Sequence, residues 1–249
     1  MFSNIASMLI LGVGRLIIDN KWGIITFGKF SFSLTLTNFI LTFISQVSIV
    51  LFPTLRQAKK SQQQYFYKNA RNMLGLFLPI VFIGYTPVKV ILNLWLPQYQ
   101  DSIHYLALLL PLCTFDGKME MLCNTYFKVL RKEKLLLTIN VITMVLSILL
   151  SLLGGYLLKN INSILIFIVV SIIFRSVISE IYLAKLMSSR VIKKLVQEII
   201  IAVIFMICNW YMSVMTAFVI MIITYIIYLI INKKDLYFIF VKVRNLIRE

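Results

Sequence analysis

Charged residues are scarce in this chain: they make up 14% of 249 residues, and only 9 are acidic. A soluble domain carries about 25% charged residues. The apolar residues, 60% of the total, are grouped in long runs rather than in short alternating segments. Because a backbone in lipid must satisfy its own hydrogen bonds, such runs indicate helices. A transmembrane β-barrel, whose strands alternate over about ten residues, is excluded by the same pattern.

Histidine and cysteine are also rare, with one His and three Cys in the whole sequence. His104 cannot form a metal site or a catalytic dyad by itself. Cys113, Cys123 and Cys208 lie inside apolar runs without the spacing of metal ligands, so we expect them to be small core residues. The sequence therefore predicts no metal, no cofactor and no catalytic residue.

Positive charge is in excess, with a formal net charge of +16 at pH 7. A nucleic-acid binder would account for such a charge, but nearly all Lys and Arg lie in gaps between apolar runs, mostly in alternate gaps. This pattern is typical of membrane topology and not of a basic docking face. We therefore expect no nucleic-acid partner.

Long apolar runs divide the chain into candidate membrane spans, each needing about 20 predominantly apolar residues. The block from about 195 to 231 is too long for one helix and is broken at 209–213, which predicts a hairpin of two short spans. The predicted fold is an all-α, polytopic membrane protein with about eight transmembrane helices. The first six predicted spans are residues 2–18, 30–52, 73–96, 103–127, 135–158 and 161 to about 187.

The distribution of Lys and Arg predicts the orientation of these spans. They cluster after spans two, four, six and eight and are rare in the other gaps. Since positive loops stay cytoplasmic, both termini are expected inside. We expect residues 1–187 to form a six-helix lobe and residues 188–249 an accessory hairpin with a basic tail. In that tail, apolar residues from 236 to 247 recur at helical spacing, which predicts an interfacial helix; the alternative is a loosely ordered tail.

Ionisable residues inside span four are the most informative feature of the sequence, because each is expensive in lipid. Asp116, Glu120 and Asn124 recur every four residues and form one polar stripe on a helix. The stripe either faces an aqueous cavity, where it binds a coupling cation or holds substrate, or pairs with charges on other helices. Lys118 points about 200° away from Asp116 and needs a different neighbour.

Two further cations lie within predicted spans. Arg175, near the centre of span six, has a planar fork that suits a phosphate; the alternative is an Arg satisfied by Asp116 or Glu120. Arg15 precedes Asp19 by four residues, and the two side chains are able to pair at the interface. In span four, Pro111 and Gly117 predict a kinked or locally unwound helix.

Four short stretches of this sequence resemble the polysaccharide transporter family: residues 14–19, 27–32, 50–53 and 124–134. This family comprises the O-antigen and capsule repeat-unit flippases of the multidrug/oligosaccharidyl-lipid/polysaccharide superfamily. The resemblance is to the opening of the second, C-terminal lobe and covers roughly the first 135 residues. Family members often have an acidic residue immediately before the Arg that matches Arg15, where this chain has Gly14.

The resemblance implies a bacterial plasma-membrane transporter and not an enzyme. Its cargo would be an undecaprenyl-pyrophosphate-linked oligosaccharide, flipped across the bilayer for surface polysaccharide synthesis. The cations expected to bind the cargo in the cavity are Arg175, Lys118 and Arg15. Because only one lobe is matched, we expect the chain to work with a missing N-terminal lobe or a second half-transporter. The alternatives are an inactive flippase remnant, a membrane-bound polymerase or acyltransferase, and a scaffolding protein.

Overall fold

A computed structural model describes residues 2–237, and within that range every regular element is helical, as predicted. Two π-helical segments, Met119–Asn124 and Leu153–Leu157, follow α5 and α7. A 3-10 turn, Pro97–Tyr99, precedes α4. The α-helices are α1 Phe2–Gln57, α2 Lys60–Phe77, α3 Ile80–Trp95, α4 Gln100–Leu109, α5 Pro111–Lys118, α6 Thr125–Val129, α7 Glu133–Leu152, α8 Ile161–Leu186, α9 Ile192–Tyr211 and α10 Val214–Ile231.

Five helical stretches in the described range are long and apolar enough to cross a membrane, which fits a membrane protein. Two of them, of 42 and 36 residues, are far longer than the roughly 20 residues that one crossing needs. The predicted fourth span is divided among α4, α5, the π-helix and α6. The stretches are Ile5–Gln46, Lys60–Trp95, Glu133–Leu157, Ile161–Leu186 and Val214–Ile231.

Helix α1 is broken at Gly23, whose φ of 76° and ψ of 174° lie outside the helical region. A side chain at that φ would be strained, so glycine suits the break. The break divides α1 into an N-terminal arm, residues 2–22, and a C-terminal arm, residues 24–57. These arms correspond to the first two predicted spans.

The C-terminal arm of α1 lies alongside α4, α5 and α6 and runs in the same direction. Near its start, the Ser33 hydroxyl donates to the carbonyl of Ser102 at 2.5 Å. Near its other end, the hydroxyls of Ser48 and Thr125 are 2.6 Å apart. Residue numbers increase in the same direction along both segments from the first contact to the second, so the two segments are parallel.

Helix α8 runs antiparallel to the N-terminal arm of α1. The Arg175 guanidinium donates to the Ser7 hydroxyl at 2.5 Å, whereas Ile168, seven residues earlier in α8, packs against Gly14. Gly14 leaves room for that Ile side chain, because a β-carbon there would overlap with it.

Helix α8 runs parallel to α4 and α5. Leu108 and Val169 line one apolar groove, and further along both segments the Lys118 ammonium lies 3.0 Å from a Glu180 carboxylate oxygen. The C-terminal arm is therefore parallel to α8 and the N-terminal arm antiparallel to it. The chain reverses direction at Gly23.

Helices α9 and α10 form a hairpin that packs against α2 and α3. The hydroxyls of Tyr225 and Tyr228 donate to the carbonyls of Leu76 and Gly75 at 2.8 and 2.7 Å. The predicted break at 209–213 is confirmed, because α9 ends at Tyr211 and α10 begins at Val214. The predicted interfacial helix of the tail lies almost wholly outside the described residues.

Candidate functional site

Four charged side chains from four helices meet in the interior of the bundle. They form what we call the charge tetrad: Arg71 of α2, Lys118 of α5, Glu180 of α8 and Glu198 of α9. Arg71 Nε donates to Glu180 at 2.5 Å, and its Nη2 lies 3.3 Å from Glu198. Lys118 bridges the two carboxylates, 3.0 Å from Glu180 and in direct contact with Glu198. All four side chains are buried, and two cations balance two anions.

Lys118 contacts its ion-pair partners and not solvent. Its side chain has no exposed surface and lies between two carboxylates, which are the different neighbour that its position opposite Asp116 requires. An isolated buried ion is very costly, whereas a paired and hydrogen-bonded one is tolerated. In this arrangement Lys118 stabilises the junction of α5, α8 and α9. Its predicted contact with substrate would require the tetrad to open.

Arg175 and Asp116 form a second ion pair, partly buried, between α8 and α5. The other arm of the guanidinium donates to Ser7 of α1. Asp116 keeps 13% of its side chain exposed, against 3% for Arg175. The Arg175 Nε is buried and has no hydrogen-bond partner among residues 2–237. Arg175 is thus satisfied by Asp116, the alternative noted from the sequence, yet it retains one unused donor.

Glu120 and Asn124 lie on the π-helix that follows α5. The Asn124 amide donates to the Glu120 carboxylate at 3.0 Å, so these two residues share one face, as their spacing predicts. Together with Ser48, Phe52, Thr125 and Lys128 they line a pocket of about 300 Å³, here called the polar groove. The stripe is therefore divided: Asp116 faces Arg175, and the other two residues face the groove.

The irregular backbone expected around Pro111 and Gly117 is present. Helix α4 ends at Leu109, α5 begins at Pro111, and the π-helix begins directly after α5. Gly117 allows Ile44 of α1 to approach, since a β-carbon there would be 3.0 Å from the Ile44 side chain. π-Helical segments are rare and occur frequently at functional sites.

Arg15 lies apart from both ion-pair clusters. It is half-buried in the N-terminal arm of α1, and its guanidinium is 5.7 Å from the centre of the Phe27 ring. Within residues 2–237 it does not form the predicted ion pair with Asp19. The structure therefore does not bring Arg15 together with Arg175 and Lys118.

An exposed polar face runs along the C-terminal arm of α1. It consists of Thr35, Asn38, Thr42 and Gln46, which recur three or four residues apart. The two threonine hydroxyls bond back to carbonyls of their own helix at 2.9 and 2.8 Å. The two amides form no side-chain hydrogen bond in the part of the chain that the structure describes. An unpaired amide facing lipid would be costly, so we expect water or another protein beside Asn38 and Gln46.

No family model, curated protein or solved structure matches this chain. The resemblance of residues 14–19, 27–32, 50–53 and 124–134 to the flippases therefore stays a prediction.

Two members of the tetrad, Arg71 and Glu198, were not singled out from the sequence. Arg71 closes a run of cations after predicted span two, a pattern that predicts a basic loop, but α2 continues past it into the bundle. Glu198 is the one acidic residue of α9. An acid three residues into an apolar run is a signal that would have identified it.

Proposed function

We propose that this chain is one lobe of a bacterial plasma-membrane flippase for an undecaprenyl-pyrophosphate-linked oligosaccharide. The observation that carries the proposal is the polar groove containing Glu120 and Asn124, set among apolar helices. The groove shares Phe52 and Lys128 with a strongly basic pocket at the end of the molecule. A polar path of this kind suits a cargo with a charged head and an apolar tail.

The physical difficulty for such cargo is the pyrophosphate, which must cross about 30 Å of hydrocarbon. Cations beside the path lower the free energy of the phosphate charge, while the prenyl tail stays in the lipid. We assign this role to Arg175, because it pairs with Asp116, one helical turn from Glu120, and its Nε has no hydrogen-bond partner among the described residues. No bond forms or breaks, so the proposed protein is a transporter and not an enzyme.

We propose eight crossings with both termini cytoplasmic. The reversal at Gly23 and the α9–α10 hairpin support this count, since each joins two segments of opposite direction. The Lys and Arg residues between spans support the orientation.

Single cysteines in a background without Cys113, Cys123 and Cys208 should reveal these crossings. At the exposed positions Gln98, Asn160 and Ser213 they should react with a membrane-impermeant maleimide added outside intact cells, because these turns lie on the outer side. Cysteines at the exposed positions Ser61 and Ser188 should react only after the membrane is opened. External labelling at position 188 would contradict the orientation.

The exposed polar face of α1 is where we place the partner, either a separate first lobe or a second copy of this chain. Two such faces would enclose water between them, so that neither Asn38 nor Gln46 would contact lipid. If two copies assemble, flipping per chain should rise with the protein-to-lipid ratio in proteoliposomes. The proposed function would be refuted if proteoliposomes at every ratio flipped the cargo no faster than protein-free vesicles and whole cells also showed no flipping by the chain.

Glu120→Gln should reduce flipping of the lipid-linked oligosaccharide by about tenfold or more. Loss of a charged hydrogen-bonding group costs about 1.5–3 kcal/mol, which corresponds to roughly 10- to 100-fold. The change keeps the hydrogen bond from Asn124 possible, so the amount of protein in the membrane should not fall. Asp19→Asn, at an exposed acid of α1 that lines neither pocket, is the matched control. Normal flipping by Glu120→Gln would make the groove carboxylate structural.

A further inference from the structure

A large basic pocket lies where the end of α1 meets the turn between α6 and α7. Its volume is about 780 Å³. Five cations and one acid line it, and none of the five forms an ion pair within residues 2–237. The charged lining residues are Arg56, Lys128, Arg131, Lys132, Glu133 and Lys134.

The backbone of the α6–α7 turn holds three of these cations close together. Arg131 has a φ of 55°, in the left-handed region that Arg rarely adopts. The amide of Lys132 donates to the carbonyl of Phe127 at 2.8 Å, which closes the end of α6. Lys128, Arg131 and Lys132 therefore occupy one tight turn instead of a spread loop.

The basic pocket opens toward the polar groove, since Phe52 and Lys128 line both. From Lys128 the path leads to Asn124 and Glu120, one and two helical turns further into the bundle. Cations that served only to orient the spans would not need to lie next to the polar groove, because orientation depends on the number of cations in a loop.

A second basic pocket, of about 610 Å³, lies between α2 and the α8–α9 turn and differs in this respect. Its Lys194 is bound to Asp235 at 2.6 Å and to Asn72 at 2.7 Å. Its Arg71 belongs to the charge tetrad. Two of its four cations are thus already neutralised, which makes this pocket the natural control.

We infer that the α6–α7 basic pocket is the site where the cargo's pyrophosphate first binds on the cytoplasmic side, before the cargo enters the polar groove. This inference rests on the proposed function and adds a binding site to it. Arg and Lys side chains bind phosphate oxygens through charged hydrogen bonds, and basic pockets on the cytoplasmic side of helical membrane proteins bind anionic headgroups. The prenyl chain would lie in the adjoining lipid.

The test measures binding of farnesyl pyrophosphate, a soluble short-chain prenyl pyrophosphate, to the full chain in nanodiscs of a neutral lipid. The triple variant Lys128→Gln, Arg131→Gln and Lys132→Gln should bind about a hundredfold more weakly. Each cation near a membrane surface typically contributes about 1 kcal/mol to the binding of an anion, and three are removed. The charge-preserving variant Lys128→Arg and Lys132→Arg should bind within about threefold of the unaltered chain.

The matched control removes three cations in and near the second basic pocket, between α2 and the α8–α9 turn: Lys68→Gln, Lys185→Gln and Arg190→Gln. It should change the affinity less than about threefold. An equal loss in this control would mean that the probe senses only the overall charge, and the inference would be wrong. Displacement of the probe by phosphatidylglycerol at equal concentration would make the pocket a general anionic-lipid site and would also overturn it.

Flipping measured on the same variants separates this inference from the proposed function. Unchanged flipping and unchanged affinity in the triple variant would overturn the docking site and leave the transporter intact. Pocket-dependent binding without flipping by any form of the chain would refute the transporter while the pyrophosphate site stood.

Discussion

Replacing Lys118 by Met should destabilise the folded chain by about 3–5 kcal/mol, the usual effect of breaking a buried ion pair from one side. The ammonium of Lys118 contacts both Glu180 and Glu198. Without it, two buried carboxylates face Arg71 alone, and the tetrad acquires a net negative charge. The measurement is the free energy of unfolding in mixed micelles, with the yield of monodisperse protein as a second readout.

The control for this experiment is Lys128→Met, which removes an exposed cation and should shift stability by less than about 1 kcal/mol. Adding Glu198→Gln to Lys118→Met restores neutrality and should recover part of the loss, because Arg71 and Glu180 remain paired at 2.5 Å. A Lys118→Met chain as stable as Lys128→Met would show that the tetrad does not stabilise the bundle.

Arg175→Lys should leave the amount of membrane protein unchanged and reduce flipping by about tenfold or more. A lysine at this position is able to pair with Asp116, but a single ammonium cannot also reproduce the contact with Ser7 and the unused Nε donor. The loss corresponds to one charged hydrogen bond, about 1.5–3 kcal/mol. Protein abundance and flipping rate are measured on the same membranes.

Arg175→Met separates the structural role of Arg175, as the partner of Asp116, from its proposed role as a phosphate contact. It leaves the largely buried carboxylate of Asp116 without a partner, so the abundance of the protein should fall. Adding Asp116→Asn should restore abundance but not flipping, since the proposed phosphate contact is still missing. Normal flipping by Arg175→Lys would rule out that contact and leave Arg175 as the structural partner of Asp116.

The extent to which this fold follows from the sequence differs between local and long-range features. Apolar runs predicted the helical fold, and the four-residue spacing of Glu120 and Asn124 placed them on one helical face, where they are hydrogen-bonded. Both depend on helical periodicity, which a sequence displays directly. The break at Gly23 instead depends on one backbone conformation, and hydropathy alone did not locate it.

Partners of the buried charges could be anticipated only in part. The position of Lys118 opposite Asp116 predicted a separate neighbour, but not that it would be Glu180 and Glu198, 62 and 80 residues away. Which helices pack together is a tertiary property that periodicity does not contain. For the same reason the sequence left open whether Arg175 faces a carboxylate or a cavity, and the structure shows the carboxylate.

The charge tetrad has a consequence for the order in which the chain is made. Its two cations, Arg71 and Lys118, leave the ribosome before either of its carboxylates. Glu180 neutralises one of them, and the second remains unmatched until Glu198 has been synthesised and α9 has joined the bundle. A nascent chain interrupted between these two acids would carry an unpaired buried cation, a defect large enough to expose it to proteolysis. We therefore expect the buried charges to be fully matched only once α9 has packed into the bundle.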